Sequence, residues 1–285
     1  MRPVVWLVKA TEGGAATYRL MTEMNAAAIL KPKSRIMVKL NITGNLPPDS
    51  GVITAPSVLD GALAYLCDHG IRNVVVAEGG GDDVSVAFDR FGYREIANRH
   101  GVPIVDLNRD AAEWVEVPNP LVVERFSITK TVRSCDAILN LPCLKVHNAE
   151  AVVTLCMKNM MGCIERRHRG EMHRDFTPMI IDLLKVVRPD VNVVDGLVGR
   201  TWGEIHGEPA GMGVMLAGTD MVAVDAVGAA TMDMLNVPHI ELAEKHGYGV
   251  ADLGRIEVRG EAIGAVRRHF RRRGWRADTW GCAPK

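Results

Sequence analysis

Three short stretches of this chain place ionisable and amide side chains at spacings that could do chemistry. Lys39 and Asn41 close an alternating run at residues 35–42, and their two-residue offset puts both on one face, with Val38, Leu40 and Ile42 on the other. A lysine and an amide at a strand end suit an anionic or carbonyl-bearing ligand, although the polar face of an edge strand has the same pattern. The segment 140–147, Asn-Leu-Pro-Cys-Leu-Lys-Val-His, presents Cys143, Lys145 and His147 on a shared face if it is extended. Repulsion between Lys145 and His147 would lower both pKa values, leaving a neutral imidazole as a base near pH 7. Lys145 and His147 beside it could lower the pKa of the Cys143 thiol. In the segment 154–163, Thr154 and Lys158 are four apart, as on one helix face, and Asn159 is adjacent. Lys158 sits among Val152, Val153, Leu155, Met157 and Met160 and needs a partner there, for which an incoming anion, Asp182 or Asp195 would serve. The catalytic candidates are therefore His147, Lys145 and Lys158, and the binding candidates Lys39, Asn41, Asn159 and Cys143.

Other polar clusters are less pointed. Asp195, Asp220 and Asp225, with Glu208, could hold a divalent cation through oxygen ligands. The better-supported reading makes Asp220 a helix N-cap and Asp225 the partner of a buried lysine. His168 and His173 flank Glu171 at a spacing that matches no zinc finger or zinc-protease helix. Cys135, Cys143, Cys156 and Cys163 lack ferredoxin spacing, so they read as core thiols and no iron–sulfur cluster is expected within this chain. Residues 78–83, Glu-Gly-Gly-Gly-Asp-Asp, follow a strand and open a helix, as phosphate loops do. Asp82 and Asp83 would repel a phosphate, and helix capping is the better role for them.

The elements that must position these residues alternate between strand-length apolar runs and segments of helical period. That order predicts an α/β fold, mainly a parallel sheet with helices on both faces, Rossmann-like. Strands are expected at 35–42, 73–77, 102–107, 134–141, 191–194, 213–217 and, as a late edge strand, 256–259. Helices are expected at 57–69 (stopped by Gly70), 84–100, 148–161, 176–187 and 221–234. The Arg/Gly/His-rich stretch 162–175 has no apolar period and reads as a binding loop or lid. The whole chain, 1–285, reads as one domain, divisible into closely packed lobes 1–125 and 126–265 with a basic tail 266–285. Ligands of such sheets gather beyond the carboxyl ends of the strands, where Lys39, Asn41 and His147 fall.

These segments resemble the domain of unknown function 362 family over roughly residues 4–260. The resemblance is carried by residues 38–42 (VKLNI), 51–56 (GVITAP), 140–147 (NLPCLKVH), 153–163 (VTLCMKNMMGC), 192–196 (NVVDG), 217–226 (AGTDMVAVDA) and 246–249 (HGYG). Its motifs fall on Lys39, Asn41, Lys145, His147, Lys158, Asn159, Asp195, Asp220 and Asp225. Members usually have a lysine where Cys143 stands. Many look like fusions to a ferredoxin-type module with clustered cysteines, whereas only Cys282 lies in this tail. The resemblance thus implies an electron-transfer role only if a separate iron–sulfur protein is the partner.

Composition narrows the classes further. Hydrophobic residues at 47% and charged residues at 24% predict an ordered globular chain. Formal net charge is zero, but six arginines lie between Arg267 and Arg276 with no acid among them. Such a cluster could meet nucleic acid; a solvated helix face or pairing with the acidic body is the plainer expectation. No run approaches the roughly 18 apolar residues of a membrane span. The chain reads as cytoplasmic, with reduced thiols and no membrane partner. The function expected is an enzyme acting on a small anion or carbonyl compound through lysine and histidine. The alternative is a non-catalytic redox accessory or binding module.

Overall fold

Period-two alternation sorts the strand side chains into two cores. Ile36, Val38, Val74, Val76 and Leu139 point to one side, and Met37, Val75, Ala77 and Ile138 to the other. A sheet coated by helices on both faces follows from that pattern. The structure, a computed structural model, describes residues 2–271 apart from 32, 82 and 149. Its strands are β1 (Val4–Lys9), β2 (Ile36–Lys39), β3 (Val74–Glu78), β4 (Ile104–Asp106), β5 (Ala112–Glu116) and β6 (Arg125–Thr129). They continue with β7 (Ala137–Asn140), β8 (Cys143–Val146), β9 (Val153–Thr154), β10 (Val191–Thr201), β11 (Glu208–Gly218) and β12 (Glu257–Gly260).

Ten of these form one sheet, with the path β12-β1-β11-β10-β7-β2-β3-β4, while β8 pairs with β10 and β9 pairs with β8. The run from β10 through β7, β2 and β3 to β4 is parallel. Strands from both halves of the chain join in it, and β1 lies between β11 and β12. The β2–β3–β4 connections proceed to one side of β2, while β7 pairs on the other. That reversal at β2/β7 is the switch point at which an open sheet leaves a crevice for a ligand. Helices Pro56–Asp68 and Met221–Thr231 pack on opposite faces.

Several boundaries differ from expectation, each for a local reason. The helix expected at 84–100 is two, Val84–Arg90 and Tyr93–Arg99, broken at Gly92 with φ 80°. The helix expected at 148–161 does not form. Val152 has φ 62°, β9 pairs back on β8, and only Cys156–Asn159 is α-helical before a 3-10 turn at Met160–Cys163. The stretch expected to be a loop, 162–175, holds a short helix, Arg166–Arg169, and a 3-10 turn, Gly170–His173. Strand 213–217 is the end of the longer β11, which pairs antiparallel with β10. The helix Gly13–Glu23 and the β5–β6 hairpin were not expected from the sequence. Half of the arginine cluster, Arg272, Arg273 and Arg276, lies outside the described residues; Arg267, inside them, pairs with Asp233 at 3.7 Å.

The crevice is closed by contacts that only glycine permits. A Cβ on Gly80 would collide with the Ile42 carbonyl oxygen, and one on Gly79 with the Gly162 carbonyl oxygen. The turn after β3 therefore lies flush against the strand end of β2 and the turn after Lys158. Gly80→Ala should cost about 1–3 kcal/mol, the usual penalty for overpacking. A urea unfolding curve checks this, and an unchanged midpoint would contradict the close packing.

Candidate functional site

The site begins with a pinned strand end. Asn41 N–H donates to the Thr54 hydroxyl oxygen at 2.9 Å, Thr54 N–H returns to the Asn41 carbonyl at 2.9 Å, and the Thr54 hydroxyl donates to the Leu141 carbonyl at 2.7 Å. The Tyr93 hydroxyl closes the same knot on the Thr54 carbonyl oxygen. Asn41 is thereby held in the crevice with only 6% of its surface exposed, and its Oδ1 has no hydrogen-bond partner.

Two lysines behind this wall are fully buried, each at 0% exposure. Lys39 Nζ lies 2.7 Å from Glu78 Oε2 and donates to the Leu40 carbonyl at 2.9 Å. Burial pushes the Glu78 carboxyl up and the Lys39 ammonium opposes that shift. Lys145 donates to Thr43 Oγ1 at 2.8 Å and to the Val52 carbonyl at 2.9 Å. Among the described residues no carboxylate lies within 4.0 Å of its Nζ, and burial lowers its pKa.

The third lysine reaches the surface of the crevice. Asp225, from the helix Met221–Thr231, accepts the backbone N–H groups of Cys156 at 2.7 Å and Met157 at 3.1 Å. These bonds fix the start of the short helix that carries Lys158 and Asn159. Asn159 Nδ2 donates to the Leu40 carbonyl and to Asn140 Oδ1, and Asn140 Nδ2 passes to Asn192 Oδ1 at 2.9 Å. Lys158 Nζ lies 3.6 Å from Glu204 Oε2 and 5.9 Å from the centroid of the Phe176 ring. Glu204 Oε2 also accepts the Thr154 hydroxyl at 3.2 Å, and its Oε1 is 3.6 Å from His147 Nε2. Thr154 and Lys158, expected on one helix face, lie instead on a strand and on a short helix, and each contacts Glu204 Oε2. Burial alone would raise the Glu204 carboxyl, but Lys158 and His147 outweigh it and hold the group well below the usual carboxylate range. Burial, then the Lys158 charge, lowers the His147 pKa. Neutral His147 was expected, but from Lys145; the dominant causes differ. The His173 ring lies parallel to it at 6.0 Å.

The resulting cleft, about 290 Å³, is lined by Asn41, Thr43, Gly79–Gly81, Thr154, Lys158, Asn159, Arg166, Arg169, His173 and Glu204, among others. Arg169 straps the glycine turn to the segment after Lys158, donating to the carbonyls of Gly80 and Ile164 at 2.7 and 2.9 Å. Of the catalytic and binding candidates named from the sequence, Asn41, Lys158 and Asn159 form the wall. Lys39, Lys145 and His147 stand one layer behind it.

Two expectations require correction. Cys143 is not an activated thiol: it is buried, its Sγ is 3.9 Å from Thr54 Oγ1, and burial pushes it up to about 12 despite Lys145. The aspartates do not converge on a cation. Asp195 accepts from the N–H groups of Ala55 and Leu197, and Asp220 caps its helix through Val222 and Ala223, while Asp225 binds residues 156 and 157. Among the described residues, no group of three or more His, Cys, Asp or Glu side chains could hold a metal ion. Asp83 caps its helix as expected, while Asp82 lies outside the described residues. Glu204, Thr43, Arg166 and Arg169 were missed. The arginines lay in the stretch flagged as a binding loop, whereas an acid between two glycines of a turn gave no signal for Glu204.

A mainly parallel α/β sheet with a basic cleft beyond its strand ends defines the class of this protein. Residues 36–230 match the family described as Domain of unknown function (DUF362), and the chain belongs to it. A thylakoid-associated protein of Synechocystis sp. is 23% identical over 228 residues, which is 76% of this chain and 70% of the relative. Among solved structures, the lactate racemase apoprotein of Thermoanaerobacterium thermosaccharolyticum is similar at a TM-score of 0.45 and 10% identity, over 83% of this chain. A Thermotoga maritima protein is similar at 0.41 and 10%, over 81%. The match spans 58% of each of those two chains. Among the described residues no helix is long and apolar enough to cross a membrane.

Asp225 makes the anchoring of Lys158 sensitive to pH. Burial, with a contribution from Asp220, pushes its carboxyl up to about 7 from an ordinary 3.8. A folded-state pKa above the unfolded one means that the native protein binds the proton more tightly. The stability due to this group is therefore greatest below about pH 4 and declines as pH rises to about 7. Chemical denaturation of the wild type and Asp225→Asn between pH 4 and 8 should show the wild type losing ground to the variant by a few kcal/mol, to order of magnitude. Parallel pH profiles would contradict this.

Proposed function

We propose that this protein is an enzyme acting on a small anionic or carbonyl-bearing molecule bound in the cleft at the β2/β7 switch point. The observation that carries the reading is the charge of the wall. Lys158, Arg166 and Arg169 face the cleft against Glu78 and Glu204, and Glu78 is already paired with Lys39 behind it. Lys145 adds a further positive charge through its contact with Thr43. Among the described residues no carboxylate lies within 4.0 Å of Arg166 or Arg169. An anion entering this partly desolvated setting meets more positive charge than the protein neutralises.

In this reading Lys158 stabilises negative charge on the ligand or on an oxyanion formed from its carbonyl. Asn41 presents one end of its amide to the ligand. Neutral His147 accepts or returns a proton, with Glu204 between it and the cleft. Isomerisation, elimination and group transfer all draw on these two devices, electrostatic stabilisation and proton movement.

Titration calorimetry with inorganic phosphate and with acetate tests the reading. Lys158→Ala should weaken binding at least about tenfold, as expected for loss of a charge-assisted hydrogen bond. Equal affinities in wild type and variant, or no binding to either, would contradict it.

A further inference from the structure

The inner end of the cleft is filled by a carboxylate that the chain supplies itself. Glu204 belongs to the turn 202–207 between β10 and β11. Its three neighbours come from the sheet and the core: Thr154 from β9, Lys158 from the helix Cys156–Asn159, and His147 from just beyond β8. Lys158 Nζ and His147 Nε2 each stand 3.6 Å from a Glu204 oxygen, whereas Lys39 and Glu78 meet at 2.7 Å. Charge-assisted hydrogen bonds normally close to about 2.7–2.9 Å. The fixed groups are thus spaced for a carboxylate that the tethered Glu204 does not reach fully. The turn itself is held in an uncommon backbone shape, with Trp202 at φ 47°, a region that residues other than glycine keep only where their surroundings hold them. Arg200 grips the turn through the Ile205 carbonyl at 2.6 Å. Independently, the buried Asn41 Oδ1 in the same cleft has no hydrogen-bond partner; as an acceptor it suits a hydroxyl or N–H elsewhere on the ligand, not the carboxylate itself.

We infer that Thr154, Lys158 and His147 form a carboxylate subsite, that Glu204 occupies it as an internal counter-ion, and that a substrate carboxylate enters by displacing Glu204 on its turn. This rests on the reading of the cleft as a small-anion site and names the ligand class as a carboxylic acid. Displacement also removes the group that separates His147 Nε2 from the cleft, so arrival of the carboxylate brings the imidazole against the ligand. No bond is made or broken in the exchange.

The test uses acetate as the probe, with calorimetry on wild type, Glu204→Ala, Glu204→Gln and the double variant Glu204→Ala/Lys158→Ala. Glu204→Ala should bind acetate at least about tenfold more tightly than wild type, and the double variant should lose that gain. Glu204→Ala binding no more tightly, while wild type binds phosphate or acetate through Lys158, overturns the subsite and leaves the anion-cleft reading standing. Absence of acetate and phosphate binding in wild type and in both Glu204 variants overturns both. If Glu204→Ala does not fold, the same criterion applies to Glu204→Gln, which keeps the shape and removes the charge. In the wild type, saturating acetate should speed hydrogen exchange at the amides of residues 203–206 severalfold; unchanged exchange overturns the displacement.

Discussion

Positive charge buried at the carboxyl ends of parallel strands is the constraint around which this molecule is arranged. Lys39 and Lys145 are wholly removed from water, and Lys158 nearly so. Desolvating an ammonium is costly, and leaving one member of a buried pair without the other costs about 3–5 kcal/mol, against a whole stability of about 5–15 kcal/mol. The neighbouring structure answers that cost. Glu78 ends β3 beside Lys39, Glu204 reaches in from a distant turn toward Lys158, and Lys145 is surrounded by a hydroxyl and a carbonyl. What the protein leaves uncompensated is what a ligand can supply.

Rigidity of the site follows from the same arrangement. The amide chain Asn159–Asn140–Asn192 ties the segment bearing Lys158 to the ends of β7 and β10. Asp225 holds that segment from the helix Met221–Thr231, which packs against it in the same core. A fully satisfied buried polar network specifies one arrangement more sharply than apolar packing does. Gly79, Gly80 and Gly162 let three backbone segments meet where any side chain would separate them. Charge, polar network and close backbone approach therefore converge on one short stretch of cleft wall.

The strands were legible because alternation in β2, β3 and β7 maps directly onto two faces, and the strand-end polar residues Lys39 and Asn41 were visible as breaks in it. The segment 148–161 was misread because the four-residue spacing of Thr154 and Lys158 suits one helix face, and nothing local shows that a strand precedes the helix; a positive φ at Val152 and pairing of β9 with β8 decide the matter. Cys143 was misread because sequence shows neighbouring cations but not burial, and burial dominates its thiol. Glu204 was illegible for a topological reason: its hydroxyl partner Thr154 lies 50 residues earlier and meets it only once β10 and β11 fold back. Asp220 as an N-cap was the reading that local pattern supports best, and the helix start bears it out.

The central claim is that the basic cleft receives a small carboxylate at Lys158. A crystal structure of the protein soaked in acetate tests it most directly. The account predicts an acetate oxygen within hydrogen-bonding distance of Lys158 Nζ and the Thr154 hydroxyl, with the Glu204 side chain withdrawn from both. A saturated soak in which the cleft holds no anion and Glu204 keeps its contacts with Lys158 and His147 would contradict it.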